Sequence, residues 1–272
     1  MHIDKRKQLF EFNDLSFVPE ALRETIVETL GRTLDLGQML YNLVPHLARF
    51  YTEGDIKHVL DLGSGTGTPS TILVRELEAL AIQPPRTTLT DIYPQPKLWE
   101  THQQNFPEHI DFLTTPVDAT AIDASLSHGK ARQLINIFHH LSEDMAMAVL
   151  RDAIEQHSPI FIAEAFDRKP LQFLNFAPVG LPMLLANPLL SPTHKVQKAL
   201  LTWCSPVALL ASVWDGLVST MRIYEPADLM RMIRSIEGNG YFTWKHGYYD
   251  YPPAGRGFYL YGVPRLRSYQ TK

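Results

Sequence analysis

The sequence predicts an α/β fold built on a mostly parallel sheet, and three observations carry that prediction. From residue 56 onward, short apolar runs at 57–62, 86–91, 110–114, 133–138 and 159–164 alternate with amphipathic stretches near 69–80, 95–104 and 142–156. Such β–α alternation implies parallel strands with helices on both faces of the sheet. The first run ends in Asp61-Leu62 and is followed by Gly63, Gly65 and Gly67 at alternate positions, with a helical pattern from about Pro69. The chain is also large enough, at 272 residues and 45% hydrophobic content, to bury a sizeable core.

Residues 1–55 read as helical. Leu22, Ile26, Val27 and Leu30 recur at helical spacing, as do Leu40, Leu43, Val44 and Leu47, and Pro19 suits a first helical turn. This segment is expected to form either a wall of a substrate pocket or a scaffold surface. The glycines after Leu62 read as a tight strand-to-helix turn, because glycine takes φ > 0 and lets a ligand approach the backbone. The free N–H groups of the following helix favour a polar or anionic ligand. Pro84 and Pro85 break that helix before the second strand, which ends at Asp91, where a carboxylate can accept both hydroxyls of a ribose. The third strand is followed by Pro116-Val117-Asp118-Ala119-Thr120. The fourth runs into Phe138-His139-His140-Leu141, with Ser142 as the expected N-cap of the next helix. The fifth ends at Glu164, with Asp167 and Arg168 just beyond. Ligands on open α/β sheets bind beyond the carboxyl ends of the strands, so these are the positions where chemistry is expected. Tyr224-Glu225-Pro226 opens a late helix closed by Gly238-Asn239-Gly240, and strands are expected at 241–248 and 257–263.

The stretch Asp61-Leu62-Gly63-Ser64-Gly65-Thr66-Gly67 resembles the S-adenosylmethionine-binding motif of the class I methyltransferases, an acidic residue followed by G-x-G-x-G. The histidine pair before a Ser-started helix resembles the segment after the fourth strand in their small-molecule members. The resemblance spans about 58–164 and 222–263. It implies a Rossmann-like three-layer sandwich with a seven-stranded, mostly parallel sheet whose last strand is inserted antiparallel. It implies S-adenosylmethionine as cofactor, bound by Asp61, Gly63, Ser64, Gly65, Gly67, Asp91, Ile92, Asp118, Ala119 and Phe138, with Asp118 at the adenine amino group. Capping of its own turn is the other role open to Asp118. His139, His140 and Glu164 are the candidate catalytic residues, a histidine serving as proton acceptor. A dinucleotide fingerprint G-x-G-x-x-G fits neither register, because its third glycine would fall on Thr68 or Ser70. No metal site is expected, since adjacent histidines should point apart and no carboxylate or third histidine lies at helical spacing.

We expect an N-terminal helical segment over 1–55, a core formed by 56–164 and 221–272, and an apolar helical insertion over 165–220 within the same domain. From Leu171 to Trp214 only Lys195 and Lys198 are charged, and prolines at 178, 182, 188, 192 and 206 interrupt the segment. No uninterrupted apolar run reaches the roughly twenty residues of a membrane span. Three fates are open to it: a cap over a lipophilic substrate, a homodimer interface, or peripheral membrane contact. Tyr93, Phe138, Trp203 and Trp214 are aromatic candidates for contact with a sulfonium, core packing being the alternative. Asp215 and Arg222 are expected to form an internal ion pair.

The formal net charge of −4 and the lack of a Lys/Arg run argue against nucleic acid. The single cysteine, Cys204, excludes an intramolecular disulfide, fits a reducing cytoplasm, and is expected to be buried. The opening Met1 to Lys7 has no apolar h-region after it, so no signal peptide is expected. The expected activity is methyl transfer from S-adenosylmethionine to an O, N or C nucleophile of a small hydrophobic molecule. The alternatives are an S-adenosylmethionine-binding protein without transfer activity and, less favoured, a nicotinamide-dependent oxidoreductase.

Overall fold

The computed structural model describes residues 5–15 and 17–265. The expectation about a leader falls partly on residues 1–4, and the end of the expected core segment on 266–272; both lie outside the described residues. In chain order the elements are α1 (Glu20–Leu36), α2 (Val44–Glu53), β1 (His58–Leu62), α3 (Thr68–Ala79), β2 (Arg86–Thr90), α4 (Pro96–Asn105), β3 (Ile110–Phe112), α5 (Ala124–Ser127), β4 (Ala131–Ile135), α6 (Glu143–Glu155), β5 (Ile160–Glu164), α7 (Ala177–Leu190), α8 (Lys195–Trp203), α9 (Val207–Arg222), α10 (Pro226–Arg234), β6 (Phe242–Tyr251) and β7 (Gly255–Pro264).

The seven strands form one sheet in the order β3-β2-β1-β4-β5-β7-β6. Strands β1 to β5 are parallel, and β7 runs antiparallel between β5 and β6. The central strands are apolar along nearly their whole length because helices cover both faces. Val59, Leu60 and Ile160 through Ala163 are fully buried. The strand order reverses between β1 and β4, which places the switch point directly after Leu62.

Several strand ends differ from expectation. Strand β4 stops at Ile135, because Asn136 takes φ +57° and Phe138–His140 coil into a 3-10 turn. Strand β3 stops at Phe112, and β6 runs on to Tyr251. Helix α10 stops at Arg234, one residue past its expected end at Ile233, and Gly238 (φ +85°) opens a separate turn over Asn239–Tyr241. Ser142 caps α6 as expected, its hydroxyl accepting from Met145 N–H.

The start of the apolar insertion joins the main core, Phe166 and Phe176 packing there and Phe176 lying edge-on to Tyr251 of β6. Helices α7, α8 and α9 all contact α1, and α8 contacts both α7 and α9, with a small core of their own formed by Val18, Leu22, Ile26, Leu184, Ala208 and Ala211. Lys198 on α8 is buried and anchors this layer, its ammonium lying 2.7 Å from Glu24 and 2.9 Å from Glu28 on α1. Residues from both ends of the sequence expectation, 1–55 and 165–220, therefore build one helical layer. The 3-10 turn Pro170–Phe176 runs into α7, so Phe173–Leu190 forms an 18-residue helical stretch long and apolar enough to cross a membrane, with 22% of it buried. Cys204 is exposed rather than buried, because α8 ends at the surface there.

Candidate active site

The glycine loop after β1 lies at the switch point and is clamped from three sides. Ser64 N–H donates to Thr90 O at 2.9 Å, and Ser64 Oγ donates to Asp61 O at 2.9 Å. Gly65 N–H donates to Asp91 Oδ2 at 2.9 Å. From α4, Trp99 Nε1 donates to Gly65 O and His102 Nε2 bonds Thr66 O, both at 2.9 Å. Burial holds the His102 imidazole below its usual range despite that carbonyl. Nothing in the local sequence marked Trp99 or His102 as loop supports. All three glycines have positive φ, and two of them answer different needs. A Cβ on Gly63 would meet Ile137 Cγ1 at 2.6 Å, whereas a Cβ on Gly65 would enter open space.

The sequence-predicted cofactor residues separate into supports and rim. Asp61 is buried and faces α3, its Oδ2 accepting from Ser70 Oγ at 2.7 Å; Gln133 and Tyr51 continue that chain. Burial raises the Asp61 carboxyl to about 6. It holds the strand, loop and helix together. Asp91 stands at the rim, where Oδ2 takes Gly65 N–H and Oδ1 takes Tyr93 N–H at 2.9 Å. A carboxylate has about four lone-pair sites, so capacity remains for hydroxyls. Ile92 and Tyr93 are exposed beside it and form an apolar surface. Asp118 Oδ1 accepts from both Thr120 N–H and Thr120 Oγ1, so it caps its own turn, the second of its two expected roles. Ala119 packs against the core, while Val117 N–H donates to Asp91 O and ties that loop to the end of β2. The Phe138 ring is buried edge-on against Tyr224 at 5.7 Å, which makes it core. Open space above Gly65, a carboxylate rim at Asp91 and an uncovered apolar shelf at Ile92 fit the ribose and adenine of a nucleoside cofactor.

The histidine pair lies in the 3-10 turn after β4. His139 and Glu164 are both buried and joined twice: His139 N–H donates to Glu164 Oε1 at 2.9 Å, and Nδ1 lies 2.8 Å from Oε2. Burial moves both groups toward their neutral forms, the Glu164 carboxyl up to about 8 and the His139 imidazole down to about 3. Glu164 does not pair with Arg168, which binds Asp228 instead. His140 has a carboxylate partner of its own, its Nδ1 lying 3.0 Å from Asp14 Oδ1.

The expected Asp215–Arg222 ion pair is not formed. Both side chains bind the N-terminal segment instead. Asp215 accepts Phe12 N–H at 2.7 Å and Asn13 N–H at 3.0 Å. The buried Arg222 guanidinium reaches Asp14 at 2.6 Å and Glu11 at 3.0 Å, and it donates to His140 O at 2.9 Å. Arg6 donates to the carbonyls of His139 and Leu141. Burial raises the Glu11 carboxyl even beside Arg222. For Asp14 burial is outweighed by hydrogen bonds from His140 and Arg222, which hold it well below the usual carboxylate range. Arg6, Glu11 and Asp14 were not foreseen, because they lie more than a hundred residues from the groups they bind.

Glu11, His139 and His140 each bring a ligand-type atom within 4.8 Å of the others. The expectation that the two imidazoles point apart does not hold, since the tight turn leaves the rings 4.2 Å apart. Arg222 already supplies positive charge to this cluster, and a cation held there would face its guanidinium.

His139 and His140 line a chamber of about 280 Å³. Its walls are apolar and come mainly from α1, α7 and α9, including Leu30, Leu181 and Leu217. Asn136 and Ser212 also line it, and the buried Asn136 Nδ2 and Ser212 Oγ have no hydrogen-bond partner among the described residues. Helix α1 borders both the chamber and the start of α3. Leu30 and Thr33 line the chamber, while a Cβ on the intervening Gly31 would meet Thr68, at the start of α3, at 3.2 Å.

A sheet of this order with β7 antiparallel, and a glycine loop at its switch point, is the class I methyltransferase fold. No protein-family model and no curated protein matches the sequence. Among solved structures, the chain is similar to the plantazolicin methyltransferase BpumL in complex with S-adenosylhomocysteine, at 11% identity over 93% of this chain and 94% of that one, with a TM-score of 0.55. A second BpumL complex, with a desmethyl-plantazolicin analogue and S-adenosylhomocysteine, gives 10% identity over 90% and 91% of the two chains and a TM-score of 0.53. An O-methyltransferase family protein from Burkholderia thailandensis is 14% identical over 90% of this chain and 60% of that one, with a TM-score of 0.50. The chain spans only 47% of a citrinin polyketide synthase CMeT domain structure that it also matches.

Proposed function

We propose that this chain is an S-adenosylmethionine-dependent methyltransferase acting on a small, hydrophobic acceptor. The observation that carries the proposal is the presence, beside α1, of both an open glycine loop and an apolar chamber lined by two carboxylate-bound histidines, His139 on Glu164 and His140 on Asp14. S-adenosylmethionine, when bound, supplies an electrophilic methyl group on a sulfonium whose charge disperses during transfer.

The open face of the loop at Gly65, the Asp91 carboxylate and Ile92 are the groups that would hold it. The chamber lining is mostly apolar, so polar groups inside it interact more strongly than they would in water. When Glu164 is ionised, Nδ1–H of His139 donates to Oε2 and Nε2 keeps its lone pair. Nε2 then takes the proton from an acceptor O–H or N–H as the methyl arrives. When Glu164 holds a proton it donates that proton to Nδ1, which forces the Nε2–H tautomer and removes the base. Asn136 Nδ2 is a spare donor for an oxygen next to the nucleophile.

Isothermal titration with S-adenosylhomocysteine, against NAD and NADP, tests the cofactor. Micromolar binding of S-adenosylhomocysteine alone supports the proposal; binding of a dinucleotide instead overturns it. Turnover of a panel of lipophilic phenols, acids and amines then separates an enzyme from a non-catalytic binding protein.

A further inference from the structure

Fourteen of the twenty-four large apolar side chains exposed among the described residues lie between Leu171 and Trp214. The largest apolar patch on an ordinary monomer covers only a few hundred Å², and larger ones mark contact surfaces. Four of these side chains also line the chamber: Leu174, Leu181, Leu209 and Val213 are 62%, 43%, 42% and 39% exposed. The chamber wall is thus one side chain thick on this face, and the same leucines serve as lining and as outer surface.

We infer that this face docks on a lipid bilayer and that the chamber takes its acceptor from the bilayer through the α7–α9 wall. This rests on the acceptor role proposed for the chamber. Two observations favour a bilayer over a second copy of the chain. A protein partner seated on the face would close the one wall that is thin, whereas a bilayer delivers a lipophilic molecule to it without passage through water. The segment from Leu171 to Trp214 also holds no Asp or Glu while the chain as a whole carries −4, and Lys195 is exposed on it. Glu24 and Glu28 of α1 are engaged by Lys198, so the segment itself presents Lys195 and no carboxylate of its own to an anionic headgroup layer. The helical stretch Phe173–Leu190 lies in the surface plane in this arrangement, as an apolar helix at an interface does.

Flotation of the full chain with vesicles of equimolar phosphatidylcholine and phosphatidylglycerol tests the inference. Leu189 and Leu210 are exposed and lie outside the chamber lining. The wild type is expected to float with the vesicles, and Leu189→Glu combined with Leu210→Glu to lower the bound fraction at least about tenfold, since each change sets a charge against the acyl layer. S-adenosylhomocysteine affinity in the variant stays unchanged and reports an intact fold. A wild type that binds S-adenosylhomocysteine yet stays with the aqueous fraction overturns the docking alone. So does a concentration-dependent dimer, seen by ultracentrifugation, that the same two substitutions dissolve. Loss of S-adenosylhomocysteine binding in the wild type sinks the cofactor assignment instead, so the two failures are distinct.

Discussion

The imidazole of His139 and the carboxyl of Glu164 form a buried pair, 2.8 Å apart, at the carboxyl ends of adjacent strands. The second bond, from the His139 amide to the other carboxyl oxygen, fixes the ring's azimuth as well as its distance. With the Glu164 carboxyl raised to about 8 by burial, the pair switches tautomer near the upper edge of neutral pH.

Turnover should therefore rise with pH and level off above about 8. Glu164→Gln cannot ionise and should lose this rise, with kcat down about 100-fold, the scale of a lost proton acceptor. His139→Gln should match it. S-adenosylhomocysteine affinity should change little in either, and an equal loss of affinity and turnover would assign the pair a purely structural role.

The same shift predicts a stability signature. The folded protein holds a proton on Glu164 up to about 8, whereas an unfolded glutamate releases it near 4.5. Folded molecules thus bind more protons between these values, so stability falls as pH rises through the window. His139 acts oppositely, its folded form shedding the proton at about 3 rather than 6.5, but that contribution ends by 6.5. Between pH 6.5 and 8 denaturant titrations should show wild-type stability falling by up to about 1.4 kcal/mol per pH unit, and the slope should be shallower in Glu164→Gln.

The two loop glycines should fail differently. Gly65→Val keeps a positive φ at a cost of about 1–2 kcal/mol but meets no protein atom, so it should fold and lose S-adenosylhomocysteine binding. Gly63→Ala drives a methyl into Ile137 and should lose about 1–3 kcal/mol of stability, read from the denaturation midpoint.

Arg222→Met should cost about 3–5 kcal/mol, because it leaves Glu11 and Asp14 without their buried cation. Limited proteolysis should then cut the segment around Phe12 first, since that segment is held through Asp215, Asp14 and Glu11. A variant as resistant as wild type would show that the segment is held by its apolar contacts.

Gly180→Ala tests the chamber. A Cβ there makes ordinary contact with Thr33 at 3.6 Å, and α7 gains about 0.5–1 kcal/mol by losing an interior glycine. The melting temperature should rise while kcat/KM falls most for the bulkiest acceptors.

What the sequence determined by itself was local and repetitive. Alternating apolar and amphipathic runs set the sheet and its helices, and one contiguous stretch, Asp61 to Gly67, set the loop at the switch point. Each of these needs only residues close in the chain, whose periodicity or backbone freedom is legible without a partner. His139 and Glu164 were legible as strand-end positions but not as a pair, because parallel neighbours meet across a helix of intervening sequence.

Tertiary structure alone decided the rest. Arg222 binds Asp14 across 208 positions and Asp215 binds Phe12 across 203, so no spacing rule connects them. Asp215 and Arg222, seven residues apart on α9, read as natural partners, yet both are claimed by an N-terminal segment whose own composition says nothing about them. The chamber is the space left where α1 meets α7 and α9, the first supplied before β1 and the other two between β5 and β6. Its size and the thinness of its outer wall follow from how those helices pack, which depends on long-range burial rather than on the pattern within any one of them.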